Sequence, residues 1–327
     1  MIEDFGQLPD GAPVQRISLR KGSLEASVLT FGAIIQDLQF NGQRVVLGYS
    51  DLAGYLSDQN YMGAVVGRCA NRVSGGVAVI DGKAHQLTLN CDNRDHLHGG
   101  TTGFSARNWS IEQHDKASVL LKMVSEDGDE GYPGRAEVLL RYTLTGGGAL
   151  RVKMTATTDK ATLVNLTQHS YFNLDGSATI ADHSLEVAAE RYLPLSDDLV
   201  PTGDVRNVAW TAFDFQDGRK IGASQAHDLN YCLADKPRDS VEFAAALEDA
   251  AGDMRMEVWT TEPGLQLYDG GQMQGSSIGH GGAPYGPKAG VCLEAQRWPD
   301  GINNEGFPNV VLRPGETYTH ISEFRFS

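Results

Sequence analysis

AEVLLRYTLTGGGALRVKMTAT, residues 136–157, is the stretch on which the fold turns. Val138, Leu140, Tyr142 and Leu144 alternate with Glu137, Leu139, Arg141 and Thr143. After three glycines, Leu150, Val152, Met154 and Ala156 alternate with Arg151, Lys153, Thr155 and Thr157. A period of two is the period of a strand with two unlike faces. Two such runs of matched length, joined by Gly146-Gly147-Gly148, predict an antiparallel hairpin over about 136–157. One of its faces is buried and the other wet.

The same pattern extends outward in both directions. Leu24, Ala26 and Val28 alternate with polar or small residues, as do Met256 and Val258, and Phe324 and Phe326. Asn41-Gly42 and Asp81-Gly82 are dipeptides of tight hairpin turns, in which both residues accept positive φ. Helical periodicity is scarce: residues 243–250 read as one short helix and 52–56 as a single turn. Short strands, frequent turns and few helices predict an all-β protein, a large antiparallel β-sandwich. No internal repeat or linker divides the chain, so residues 1–327 are expected to form a single domain. The glycine-rich segment 270–290 reads as a long surface loop.

The 327-residue chain is 41% hydrophobic and 21% charged, with a formal net charge of −15. That charge argues against nucleic acid and against anionic membranes as partners. The N-terminal residues lack a basic segment followed by an apolar one, and no apolar run reaches the roughly 18 residues of a membrane helix. A cytoplasmic protein is the expectation. Cys69, Cys91, Cys232 and Cys292 include no CxxC pair and read as reduced.

Two stretches carry the chemistry. NLTQHSYFNL at 165–174 sets His169 among Asn165, Gln168, Ser170 and Asn173 in a strand-like run. A histidine so placed can be oriented and still exchange a proton. VCLEAQ at 291–296 sets one carboxylate, Glu294, in another such run. Around them stand candidates for ligand contact. Arg68, Asn71 and Arg72 share the run 67–73 and, taken alone, read as surface arginines in a turn. His96 and His98 would share a face if they lay in one strand, and His98 before Gly99-Gly100 is the binding candidate of the two. Asp228 beside Asn230 and Tyr231 can accept hydrogen bonds from vicinal hydroxyls. Trp259, Tyr268 and Trp298 can stack on the apolar face of a sugar ring. A third ligand to complete a metal site with His96 and His98 is missing. No GxGxxG precedes a helix, no GxxxxGK[ST] occurs and no GxSxG elbow appears between a strand and a helix, so neither a nucleotide cofactor nor an α/β-hydrolase is indicated.

Taken in order, nine segments resemble those of the aldose 1-epimerases, the galactose mutarotase family. They are FGAII at 31–35, GRxxNR at 67–72, LHGG at 97–100, GYPG at 131–134 and NLTxHxYFNL at 165–174. PTG at 201–203, FDF at 213–215, PGLQxY at 263–268 and LExQxxPD at 293–300 follow. The resemblance spans about residues 24–326. It implies a β-sandwich with the sugar in an open cleft, Glu294 as general base and His169 as general acid. It further implies that Arg72, Asn71, His98 and Asp228 hold sugar hydroxyls, with Gln266 or Tyr268 lining the site. No metal and no organic cofactor are implied; the partner is a free monosaccharide and the protein a monomer or homodimer. Relatives often follow the binding aspartate with histidine, whereas here Leu229 follows Asp228 and His227 precedes it. Alternatives are a hexose-6-phosphate 1-epimerase, a glycosidase using Asp228 and Glu294, and a non-catalytic sugar-binding protein.

Overall fold

The structure, a computed structural model, describes residues 1–224, 226–274 and 277–327. The expected hairpin forms as strands Ala136–Leu144 and Ala149–Thr158, paired in register from Ala136↔Thr158 to Leu144↔Leu150. Around it grows a nine-stranded antiparallel sheet. Ser110–His114 and Ser118–Ser125 lie on one side of the hairpin. Tyr318–Phe326, Arg255–Thr260, Glu242–Glu248, Ser184–Val187 and Arg219–Lys220 follow on the other.

A six-stranded sheet carries Tyr171–Phe172, Val291–Gln296, Gly264–Tyr268, Asp228–Cys232, Arg191–Tyr192 and Arg206–Asn207, in that spatial order. A five-stranded N-terminal sheet runs from Ile2–Gln7 to Gln43–Arg44. Apolar faces of all three meet in one core containing Ile17, Leu38, Leu140, Val152, Leu265 and Leu293. Phe172 of the six-stranded sheet packs on Phe324 of the nine-stranded one, with ring centroids 5.0 Å apart. Phe40 and Phe326, 5.7 Å apart, join the N-terminal sheet to the same layer. The turns at Asn41-Gly42 and Asp81-Gly82 adopt the positive φ their residues suit, and the α-helix Leu52–Ser57 stands where one turn was expected. Among the described residues no helix is long and apolar enough to cross a membrane.

Two expectations are corrected. Residues 243–250 are not helical: Glu242–Glu248 is a strand between Ser184–Val187 and Arg255–Thr260. Its run of alanines favours helix locally. Ala244, Ala245, Ala246 and Leu247 are all buried, however, in a sheet position with partners on both sides, and that tertiary pairing decides. The segment 270–290, of which Gly275 and Ser276 lie outside the described residues, is docked and not merely laid over the surface. Met273 and Ala289 are buried, and the Tyr285 hydroxyl donates to Gly48 O at 2.9 Å.

Candidate active site

Three strands of the six-stranded sheet share one pattern. In Val291–Gln296 the residues Val291, Leu293 and Ala295 enter the core, which leaves Cys292, Glu294 and Gln296 on the opposite face. Leu265 and Leu267 do the same for Gln266 and Tyr268, and Leu229 and Tyr231 for Asp228 and Asn230. Register then aligns these second-face residues into rungs. Asn230, Gln266 and Glu294 form one, and Asp228, Tyr268, Cys292 and Tyr171 the next. Within them Gln266 Nε2 donates to Asp228 Oδ1 at 2.6 Å. Gln266 Oε1 and Glu294 Oε2 are buried without a protein hydrogen-bond partner among the described residues.

His169 faces this floor from the junction of two short strands. Thr167–Gln168 pairs with Val65–Val66, and Tyr171–Phe172 with Val291 and Cys292. The His169 N–H donates to Ala64 O at 2.8 Å, and its carbonyl accepts from Gly63 N–H at 3.0 Å. Gly63 is required there: its φ is +68°, and a Cβ would lie 2.5 Å from Ile35 O. The imidazole is thereby placed with Nε2 3.7 Å from Glu294 Oε1. Both side chains are nearly inaccessible, at 5% and 2%.

His98 closes the group, its ring 5.3 Å from that of His169 at 79°. It does not share a face with His96. His96 is fully buried against the Tyr132 hydroxyl and Thr88 O, whereas His98 has a φ of +50° that turns it out of the strand His96–Leu97. Asn71 holds it: the Asn71 N–H donates to His98 Nδ1 at 3.2 Å, and Asn71 Oδ1 accepts from Arg72 N–H at 2.8 Å. Arg72 stands half-buried, and its charge reaches both His98 and Asp228.

Of the remaining sequence candidates, Arg68 is not a surface residue. It is 2% exposed, with its guanidinium donating to Ser125, Glu126, Pro133 and Thr162, and is a structural tie. Trp259 and Trp298 leave the site. Trp259 lies under the Arg325 guanidinium, and Trp298 is buried with its N–H on Pro263 O. Only Tyr268 of the three aromatic candidates belongs to the rungs. Two neighbours went unremarked. Cys292 Sγ is 3.4 Å from His169 Nδ1 and was legible, lying two residues before Glu294 on the same face. Tyr61, whose ring lies 4.7 Å from His98 and 5.8 Å from His169, comes from a loop with no sequence signal.

Burial dominates the electrostatics. It pushes the Glu294 carboxyl well above its ordinary value, with the Asp228 charge adding to the effect. Burial pushes His169 down to about 4 and holds His98 well below its usual range, where the charges of His169 and Arg72 reinforce it. Asp228 is raised by burial in spite of Arg72 and Gln266.

One ring nitrogen of each histidine and a Glu294 oxygen lie within 4.8 Å of one another, a spacing a small cation could bridge. The hydrogen bonding argues otherwise. A metal-bound histidine donates its second N–H to an acceptor. His98 Nδ1 instead receives the Asn71 N–H, so the ring proton sits on Nε2. The trio presents donors and an acceptor to a polar molecule, not three lone pairs to a metal.

Known proteins resemble this chain over nearly its whole length. The family model described as aldose 1-epimerase matches residues 15–325. The chain is 41% identical to galactose mutarotase of Homo sapiens over 99% of this chain and 97% of that one. It is 31% identical to the aldose 1-epimerase of Escherichia coli K12 over 97% of this chain and 96% of that one. A crystal structure of an aldose epimerase homologue from C. elegans superposes with a TM-score of 0.89 at 30% identity, covering 95% of this chain and 98% of that one. With the family model matched across nearly its whole length, the chain belongs to the aldose 1-epimerase family.

Proposed function

We propose that this protein interconverts the α and β anomers of free aldoses such as galactose or glucose. It does so by acid–base ring opening and closure on Glu294 and His169, and the whole chain works as one domain. The observation that carries the reading is the buried Glu294–His169 pair, 3.7 Å apart, with Glu294 Oε2 and the adjoining Gln266 Oε1 left without a partner among the described residues.

Anomer exchange breaks the C1–O5 bond while one proton leaves the C1 hydroxyl and another reaches O5. The open aldehyde turns about C1–C2 and closes on its other face. The pair suits this because it holds one proton between two sites. With Glu294 ionised and His169 protonated, Glu294 takes the C1 hydroxyl proton and His169 Nε2 delivers its own to O5. Opening thus converts an ion pair into a neutral acid and a neutral imidazole, the forms that burial favours. Closure reverses both transfers on the other face. Each partner is worth roughly 10²–10⁴-fold. His98, a neutral Nε2–H donor, stabilises negative charge developing on a sugar oxygen. Arg72, Asp228 and Gln266 orient hydroxyls, and Asn71 positions His98 and Arg72 through its backbone and Oδ1. Tyr268 borders the ring.

Polarimetry of freshly dissolved α-galactose and α-glucose, with and without protein, tests the proposal. Accelerated approach to the equilibrium rotation is expected, unchanged after dialysis against a strong chelator. Binding without acceleration would leave a sugar-binding protein.

A further inference from the structure

The two histidines of the site are held by different kinds of partner. His98 Nδ1 receives a backbone N–H, a group that can only donate, so its tautomer is locked. His169 Nδ1 faces the Cys292 thiol at 3.4 Å. Cys292 is fully buried and belongs to the face of the strand Val291–Gln296 that carries Glu294. Burial, with the Glu294 charge next in size, raises the thiol well above its ordinary range, so it keeps its proton. A protonated thiol can donate S–H to a bare nitrogen. On rotation it can accept N–H through sulfur.

We propose that Cys292 is a positioning residue for the reaction. Its thiol holds the His169 ring with Nε2 toward the sugar and accommodates both the neutral and the protonated imidazole. The idea rests on the reading of His169 and Glu294 as the acid–base pair. It follows from what the other neighbours do. Glu294 meets Nε2, not Nδ1. His98, Tyr61 and Tyr171 meet the ring as ring-to-ring contacts. Among the described residues neither Arg72 nor Asp228 is hydrogen-bonded to the His169 ring. The thiol is thus the side chain hydrogen-bonded to Nδ1 among the described residues, beside the backbone of His169 itself, whose hydrogen bond raises the imidazole against burial. During a turnover His169 gains and loses a proton at Nε2. Nδ1 therefore keeps its proton in both the charged and the neutral form, and Nδ1–H donates to the Cys292 sulfur in each.

The test compares Cys292→Ala with Cys292→Ser. Removing one hydrogen bond to the acid should lower kcat about 3- to 10-fold in the alanine variant, with KM within about twofold. Serine, whose hydroxyl also donates and accepts, should restore most of that loss. Nitrogen-15 shifts of labelled histidine in the sugar-free protein should show His169 as the Nδ1–H tautomer in the wild type and the serine variant. In the alanine variant the two tautomers should mix. An alanine variant with wild-type kcat and an unmixed tautomer overturns the proposal, as does a loss that serine fails to restore. If the wild-type protein itself does not accelerate anomer exchange, the acid–base reading falls, while the tautomer measurement still decides what Cys292 does.

Discussion

The strands Ala136–Leu144 and Val291–Gln296 obey the same period and differ in what their second face meets. In the first, buried and half-buried residues alternate without interruption, and the second face looks to solvent. In the second, all six residues are buried, yet the residues that do not enter the central core are Cys292, Glu294 and Gln296. Binary patterning places a polar residue on the outer face in both. Only where that outer face is itself covered does the polar residue cost stability. Buried groups without partners are expensive to keep. Glu294, with Oε2 unpaired among the described residues and its carboxyl driven toward the neutral form, marks the covered face as one shaped by chemistry.

The sharpest way to break this comparison is Glu294→Gln. The substitution keeps shape and removes basicity, so kcat should fall by at least roughly 10²-fold while sugar affinity survives. Stability should move the other way. The folded carboxyl titrates above its ordinary value of 4.5. Its contribution is therefore full below the unfolded value and is lost as pH rises through the folded one. The advantage in Tm of Glu294→Gln over the wild type should grow with pH, as read by thermal melts from pH 4 to 9. His169→Asn should lower kcat similarly, and the double variant should be little worse than the worse single one. A folded Glu294→Gln protein with near wild-type turnover would leave Asp228 as the next candidate base.

On the core side the two strands should behave alike. Leu140 is fully buried in the central cluster. Leu140→Ala should cost about 2–5 kcal/mol in denaturant unfolding and leave kcat of the folded fraction intact. A loss of kcat in folded protein would show that the nine-stranded sheet does more than carry the floor. A smaller effect is expected where the covered face meets its ligand. Arg72→Ala should raise KM about tenfold for galactose, roughly 1.4 kcal/mol. Comparing glucose with glucose 6-phosphate gives a second measure. The neutral sugar should have the higher kcat/KM, since the chain is acidic and, among the described residues, no basic cluster gathers at the site beyond Arg72.

Much of this was legible before any coordinates. The hairpin, the turn dipeptides and the sandwich class follow from period two and glycine placement, which are local. The pairing of His169 with Glu294 was legible only through resemblance, because nothing local says that residues 125 positions apart meet at 3.7 Å. The alanine-rich run at 243–248 misled because propensity is local and its sheet partners are not. Separating His96 from His98 needed the left-handed φ at His98, which alternation cannot show. Gly99, with a φ of +91°, packs so near Gly67 O that a Cβ would overlap it, and that close approach fixes the turn.

The smallest effect is expected on the wet face of the hairpin itself. Lys153 is exposed and lies directly across from Arg141. Like charges opposite each other in a sheet repel weakly, and threonine fits a half-exposed strand better than lysine. Lys153→Thr should therefore change unfolding free energy by no more than about 0.5 kcal/mol, with the sign toward greater stability. In a chain of this size that is a shift of roughly 1–2 °C in Tm. Salt should shrink the gain further, since screening already weakens the repulsion in the wild type. Turnover and KM should not move, because Lys153 stands on the far side of the sheet from the core that supports Glu294. Melts at low and high ionic strength, with polarimetric rates on the same samples, measure all three quantities. A loss of more than about 1 kcal/mol, or any change in rate, would mean that the hairpin's outer face is not simply solvated. The contrast between the wet face and the covered one would then lose its simpler half.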